Sequence, residues 1–182
     1  VIMKFNAHRL ESVRQVECSH SDSRPNSEIS LIVVHCISLP AGHFGGKFIE
    51  ELFCKKLDTS DHNDFSDLSK VTVSSHLLVR RDGLVLQFVP FNQRAWHAGP
   101  SAFKGISVCN DFSVGVELEG TDKSKYSDIQ YQVLADICAE LISTYDIPKE
   151  HIVGHSDIAP GRKTDPGDMF EWDRFRKLVA KV

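Results

Sequence analysis

The segment Gly154-His155-Ser156-Asp157-Ile158-Ala159-Pro160-Gly161-Arg162-Lys163-Thr164-Asp165-Pro166-Gly167 packs a histidine, a lysine and an aspartate around two Pro/Gly turns. A chain punctuated in this way folds back on itself, so His155 and Asp165 can converge although ten positions separate them. His35 closes the apolar run Leu31-Ile32-Val33-Val34 and could supply a third donor. Two imidazoles and one carboxylate suit a zinc ion, and three protein ligands leave the fourth tetrahedral position to water. That is the coordination of a catalytic zinc; a structural one is normally closed by four ligands, commonly thiolates, and no clustered thiolate set is present. Singly, each residue has a plainer reading. A histidine ending a buried strand is commonly a hydrogen-bonded core residue, and Asp before Pro-Gly initiates turns. Lys163 and Arg162 alone would be solvated charges.

These side chains need elements to hold them. Leu31 to Val34 reads as a strand buried on both faces, with His35 at its carboxyl end. Ser74 to Arg80 and Leu84 to Val89 flank Asp82-Gly83, which predicts an antiparallel hairpin. From Ser113 to Glu119, Val114, Val116 and Leu118 alternate with Gly115, Glu117 and Glu119, predicting a strand with one apolar and one acidic face. Glutamates on such a strand usually face solvent. Ile129, Val133, Leu134, Ile137, Cys138, Leu141 and Ile142 recur at helical spacing behind a Ser127/Gln130 capping box. A further helix is expected from Met169 to Val179, with Asp168 and Glu171 as capping pair and Trp172, Phe175, Leu178 and Val179 turned inward. Residues 38–70 read as a long irregular segment with a short helix near 47–53, expected to wall a cleft. The fold class that follows is α/β: a single domain over 1–182, core about 31–179, with a mixed central sheet flanked by helices.

Four motifs, VHCISLP around His35, AWHAG around His97, VGVELEG around Glu117 and GHSDIAPGRKTDPG around His155, occur in the same order as in the type-2 N-acetylmuramoyl-L-alanine amidases. The chain resembles that family from about Leu31 to Val179, and its SLPAGHFGG loop is similar to the AmpD-type cytoplasmic branch more than to the shorter phage and animal relatives. The resemblance implies the fold shared with peptidoglycan recognition proteins and a zinc ion on His35, His155 and Asp165. It places the catalytic glutamate at Glu117 and a catalytic lysine at Lys163. It also implies cleavage between N-acetylmuramic acid and L-alanine in muropeptides, preferentially 1,6-anhydro forms, during peptidoglycan recycling. The chemistry is coherent by itself: zinc lowers the pKa of bound water to about 7, a carboxylate beside the metal accepts the proton, and an ammonium faces the developing oxyanion. Trp96 and His97, in the shared AWHAG, either line the cleft as substrate-binding groups or pack as core. Cys36, where some relatives carry Asn, should point away from His35 and pack.

The 182 residues carry 21 basic and 25 acidic side chains for a net charge of -4, which gives no cationic footprint for nucleic acid or anionic lipid. No apolar stretch reaches the roughly 18 residues of a membrane span. Five widely spaced cysteines without a C-x-x-C pair read as free thiols of a reducing compartment, and Val1 to Asn6 lack signal-peptide architecture, although a leader removed before Val1 stays open. The free thiols point to a cytoplasmic protein; a monomer is expected, and the resemblance implies a muropeptide as its partner. His8, His20, His43, His62 and His151 fall in segments where exposure is the default; His76 is left ambiguous; Arg80 and Arg81 read as a solvated hairpin end. Two other function classes fit parts of the pattern. A non-cutting muropeptide-binding module would typically lack the third ligand, and a glycoside hydrolase could pair Glu117 with Glu119 but would survive chelation.

Overall fold

Six strands build the sheet that carries the site: β1 (Arg14–Gln15), β2 (Leu31–Ile37), β3 (Leu77–Val79), β4 (Val85–Gln87), β5 (Ser113–Glu119) and β6 (Ile152–Gly154), in spatial order β6-β2-β5-β3-β4-β1. The structure, a computed structural model, describes residues 4–181, so the expected domain 1–182 begins and ends on residues outside those described. The sheet is mixed. Strands β6, β2, β5 and β3 run parallel, the β3/β4 hairpin turns back through Asp82-Gly83, and β1 pairs parallel to β4. Gly83 sits at φ +88°, a conformation that favours glycine.

Strand β5 divides its side chains as its period of two requires. Val114, Val116 and Leu118 join Ile32, Val34, Leu77 and Val79 in a core covered by helices α2 (Asp128–Tyr145) and α4 (Trp172–Val179). The Ser127/Gln130 capping box is formed, and Gln130 also donates to the Val79 and Glu119 carbonyls, which ties α2 to the sheet. The opposite sheet face meets helix α1 (Phe48–Phe53) through Leu78, Leu86, Ile49 and Phe53, and meets Ala98, Cys109 and Ile158 through Leu31 and Val33. This second face holds the site.

Three expectations about elements need correction. Helix α4 starts at Trp172 rather than Met169, with Glu171 at the N-cap and no side-chain cap, because Phe170 is driven into an aromatic cluster with Tyr126, Tyr131, Trp172 and Phe175. Residues 38–70 are less irregular than expected: besides α1 they contain a 3-10 helix at Asn63–Lys70. The acidic face of β5 is not solvated, since Glu117 and Glu119 are both buried beneath the loops of that face. No helix among the described residues is long and apolar enough to cross a membrane.

Candidate metal centre and active site

Parallel pairing sets Glu117 beside His35 on one sheet face, and Gly154 beside Val34, so that His155 emerges at the strand ends next to His35. His155 opens the short helix α3 (His155–Ile158). The return of the chain is tied down by Ser156 N–H donating to the Asp165 carbonyl at 3.0 Å. Gly167, at φ +90°, lies against the Asp122 backbone where any Cβ would collide, so the Pro166-Gly167 turn can press Asp165 inward.

The outcome is a triangle. His35 Nδ1 and His155 Nδ1 are 3.0 Å apart, and each lies 3.0 Å from Asp165 Oδ2. Both imidazoles are buried and Asp165 is half-buried. His155 Nε2 faces the Ala98 carbonyl at 3.0 Å, which can only accept, so Nε2 carries the proton and Nδ1 is a bare lone pair. His35 Nε2 lies 2.9 Å from His97 Nδ1, and His97 Nε2 lies 3.2 Å from Ser113 Oγ. With each Nε2–H donating along that chain, His35 Nδ1 is bare as well, the assignment a metal ligand requires. Three lone-pair atoms then converge with no proton between them, and their spacing approaches the about 3.3 Å edge of a tetrahedron with bonds of about 2.0 to 2.1 Å. The three residues could therefore hold a metal ion. Burial, opposed by Asp165 and reinforced by His155 and Lys163, lowers the His35 pKa to about 4, which keeps the ring neutral.

Glu117 lies in the floor of the same cleft and belongs to no ligand triangle. Burial first, and then the Asp165 charge, push its carboxyl well above the ordinary value, against the opposing pull of Lys163. Lys163 is exposed at the cleft mouth. The cleft, 480 Å³, is lined by His35, Glu117, His155, Lys163 and Asp165 together with Phe53 and Ala41 from the loop side. The 38–70 segment thus contributes part of the wall. A side lobe of 170 Å³ shares His97, His155 and Lys163 with it and is lined by Trp96.

A family model for N-acetylmuramoyl-L-alanine amidase matches residues 25–168. The 1,6-anhydro-N-acetylmuramyl-L-alanine amidase AmpD of Escherichia coli K12 is 51% identical over 173 residues, 94% of this chain and 94% of its own length. The chain belongs to the N-acetylmuramoyl-L-alanine amidase family. Among solved structures, a selenomethionine AmpD derivative matches the amidase with a TM-score of 0.95 at 49% identity, covering 97% of this chain and 99% of that one. A complex of AmiD from E. coli with anhydro-N-acetylmuramic acid-L-Ala-D-gamma-Glu-L-Lys matches with a TM-score of 0.60 at 32% identity, covering 82% of this chain and 57% of that one.

Around the amidase site, several residues stand elsewhere than their sequence context suggests. His97 borders the cleft, but its ring is buried behind His35 over Gly115, where a Cβ would stand 2.5–2.7 Å from the imidazole. Trp96 is half-buried, with the Arg94 guanidinium 4.3 Å from its ring centroid. Arg80 is not solvated: it is buried and donates to Glu119 at 2.6 Å, and Glu119 also accepts from Gly45 N and Arg81 N. Glu119 is thereby engaged in holding the Gly45-Gly46 loop and is unavailable as a partner carboxylate for Glu117. A second concavity of 430 Å³ lies over this ion-paired cluster. His20 is also buried, its Nδ1–H donating to the Val73 carbonyl at 3.0 Å. Sequence reasoning missed the buried Arg24, whose guanidinium meets the carbonyls of Phe91, Asn110, Asp111 and Ser113; a lone arginine near the chain start carries no signal of that depth.

Proposed function

We propose that this amidase hydrolyses the amide bond between N-acetylmuramic acid, in its 1,6-anhydro form, and L-alanine in muropeptides released during peptidoglycan recycling, using zinc held by His35, His155 and Asp165. The observation that carries the metal reading is the convergence of two imidazole nitrogens and one carboxylate oxygen at mutual distances of 3.0 Å. The substrate reading is supported by the 51% identity to a protein named for that activity, and by the likeness to a complex with an anhydromuropeptide. A zinc ion bound there supplies Lewis acidity, polarising the amide carbonyl and acidifying water.

The chain's own groups do the rest. Glu117 accepts the proton of the attacking water at a carboxylate oxygen and delivers it to the leaving amine nitrogen; its pKa, raised by burial and the Asp165 charge, makes that oxygen a stronger proton acceptor than an ordinary carboxylate. Lys163, at the cleft mouth, neutralises charge that accumulates on the carbonyl oxygen. Trp96 offers an apolar face to a substrate in the side lobe, and His97 holds the His35 ring in its ligand tautomer. The reading includes a single catalytic domain over 1–182 and a cytoplasmic monomer, the latter in keeping with five free thiols.

Mass analysis of the products of a defined anhydromuropeptide, with and without chelator, tests bond, metal and substrate together. The expected products are the free anhydro sugar acid and the intact peptide; chelation stops their formation and zinc restores it. Turnover that persists in metal-free protein would remove the metal from the mechanism, and equal turnover of ordinary muropeptides would remove the anhydro preference.

A further inference from the structure

Cys18 follows strand β1, and Cys54 caps the carboxyl end of helix α1. Cys54 is buried with Ile49, Leu52 and Phe53 in the core beneath the cleft wall, and Cys18 packs against the same cluster. The Cys18 thiol donates to the Phe53 carbonyl at 2.8 Å, which sets its sulfur beside the peptide bond leading into Cys54. The two thiols are themselves hydrogen-bonding partners, and both are free. Neither belongs to the machinery assigned above. We propose that Cys18 and Cys54 form a redox-active dithiol that closes to an internal disulfide by exchange with a low-molecular-weight disulfide.

The exchange balances in two steps. The Cys18 thiolate attacks one sulfur of the small disulfide, whose S–S bond breaks; the departing thiolate takes up the proton that Cys18 released to water. The Cys54 thiolate then attacks the Cys18 sulfur of the mixed disulfide, and the second small thiolate leaves and takes up the Cys54 proton. Two protein thiols are oxidised and one small disulfide is reduced to two thiols.

Cys18 is the attacking group on chemical grounds. It is partly exposed, and the hydrogen bond from Cys54, working against burial and helped by the His20 amide, Lys56 and Lys55, draws its pKa down to about 7. The other thiols are all raised: Cys54 first by its hydrogen bond to Cys18, which ends once Cys18 carries the mixed disulfide, and then by burial; Cys36, pushed up to about 12, and Cys109 and Cys138 by burial. The position of the pair also gives the bond a consequence. Phe53, next to Cys54, lines the cleft, and Val73, which His20 contacts two residues beyond Cys18, lines it too. A Cys18–Cys54 bond fastens the helix to the segment that supports this wall.

The test uses the full chain incubated with oxidised glutathione at neutral pH, quenched by alkylation and mapped by proteolysis and mass spectrometry. The expected product is a Cys18–Cys54 linked peptide that dithiothreitol reverses, with Cys36, Cys109 and Cys138 recovered as alkylated thiols. Cys54→Ser is expected to stop at a glutathione adduct on Cys18, at least tenfold above the adduct on any other cysteine. Wild-type protein in which the adduct on Cys18 never passes to Cys54, or in which Cys18 is modified no faster than the buried thiols, overturns the proposal. The wild-type map stands whether or not the variant folds, and neither readout depends on amidase turnover.

Discussion

Lys163 is exposed, yet its charge reaches both the buried Glu117 and His35. A cation in that place can answer charge on a reacting oxygen without holding any part of the fold together. Lys163→Ala is therefore expected to lower kcat by about 10²–10³, equivalent to about 2.7–4 kcal/mol of barrier, while metal content and the unfolding midpoint stay near wild type. Metal analysis beside steady-state kinetics checks this; near-normal turnover would take Lys163 out of its assigned role. The residue scale also shows what one-dimensional reading can and cannot reach. Residue type and turn context alone left His35, His155 and Asp165 open between metal ligands and plain core or turn residues, and the order of the family motifs pointed to ligands; the structure brings the three within hydrogen-bonding distance of one another. The fate of Arg80 and Glu119 was not legible, because a hairpin arginine and a strand glutamate reveal their charges but not that each is the other's buried partner. His97 was visible as part of a motif, but its depth behind His35 depends on a ring lying over a glycine 18 residues on in the sequence.

That glycine belongs to the next scale. Strand β5 places Ser113, Gly115 and Glu117 on one face, and each has a different task toward the site: Ser113 meets His97 Nε2, Gly115 leaves room for the His97 ring, and Glu117 stands beside His35. The period of two was readable from the alternation in VGVELEG; the requirement for glycine was not, since it arises from a ring that approaches from the 97–98 segment. Gly115→Ala is expected to keep the strand, whose residues pair on both sides, but to push the His97 imidazole away and loosen the His35 ring. The overpacking should cost about 1–3 kcal/mol of stability, and loss of the supporting hydrogen bond should weaken metal affinity about 10–100-fold. A double-mutant cycle separates this from general damage: with His97→Ala already present, adding Gly115→Ala should cost far less, because the clash has lost one partner. Additive effects would show that Gly115 acts through something other than His97. Helix α4 makes the converse point at the same scale. An Asp168/Glu171 pair has capping spacing, yet burial of Phe170 outweighs it and delays the helix to Trp172, since an aromatic side chain in the core contributes more than a cap.

Across the whole molecule, the α/β class, strands β2 to β5 and helices α2 and α4 follow from patterning and turn signals, whereas strand β6, which delivers His155, and the depth of the polar residues packed behind the site do not. His76 shows the consequence for stability. Its Nδ1 accepts from Gly115 N–H at 3.1 Å and its Nε2 faces the Gln93 carbonyl at 3.0 Å, so the folded ring has one proton and no place for a second. Burial, with the nearby Arg24 charge, lowers its pKa to about 3, and burial with the neighbouring His35 holds His97 well below the ordinary value. Below about pH 6.5 the unfolded chain binds protons at these two histidines that the folded chain refuses, so stability is complete above that pH and falls as pH drops toward the folded values. Each such histidine contributes a slope of up to about 1.4 kcal/mol per pH unit, and the pair up to about twice that. Denaturant titrations of chelator-treated protein between pH 7.5 and 5 should therefore show a midpoint that is flat at first and then declines through the histidine range. His76→Gln, which keeps a side-chain polar group but cannot titrate, should flatten the decline by close to one proton's share even if it lowers stability at every pH. A midpoint that does not move across this range would mean that these rings bind protons in the folded chain, and with them the proton-free assignment of His97, on which the ligand tautomer of His35 rests, would fail.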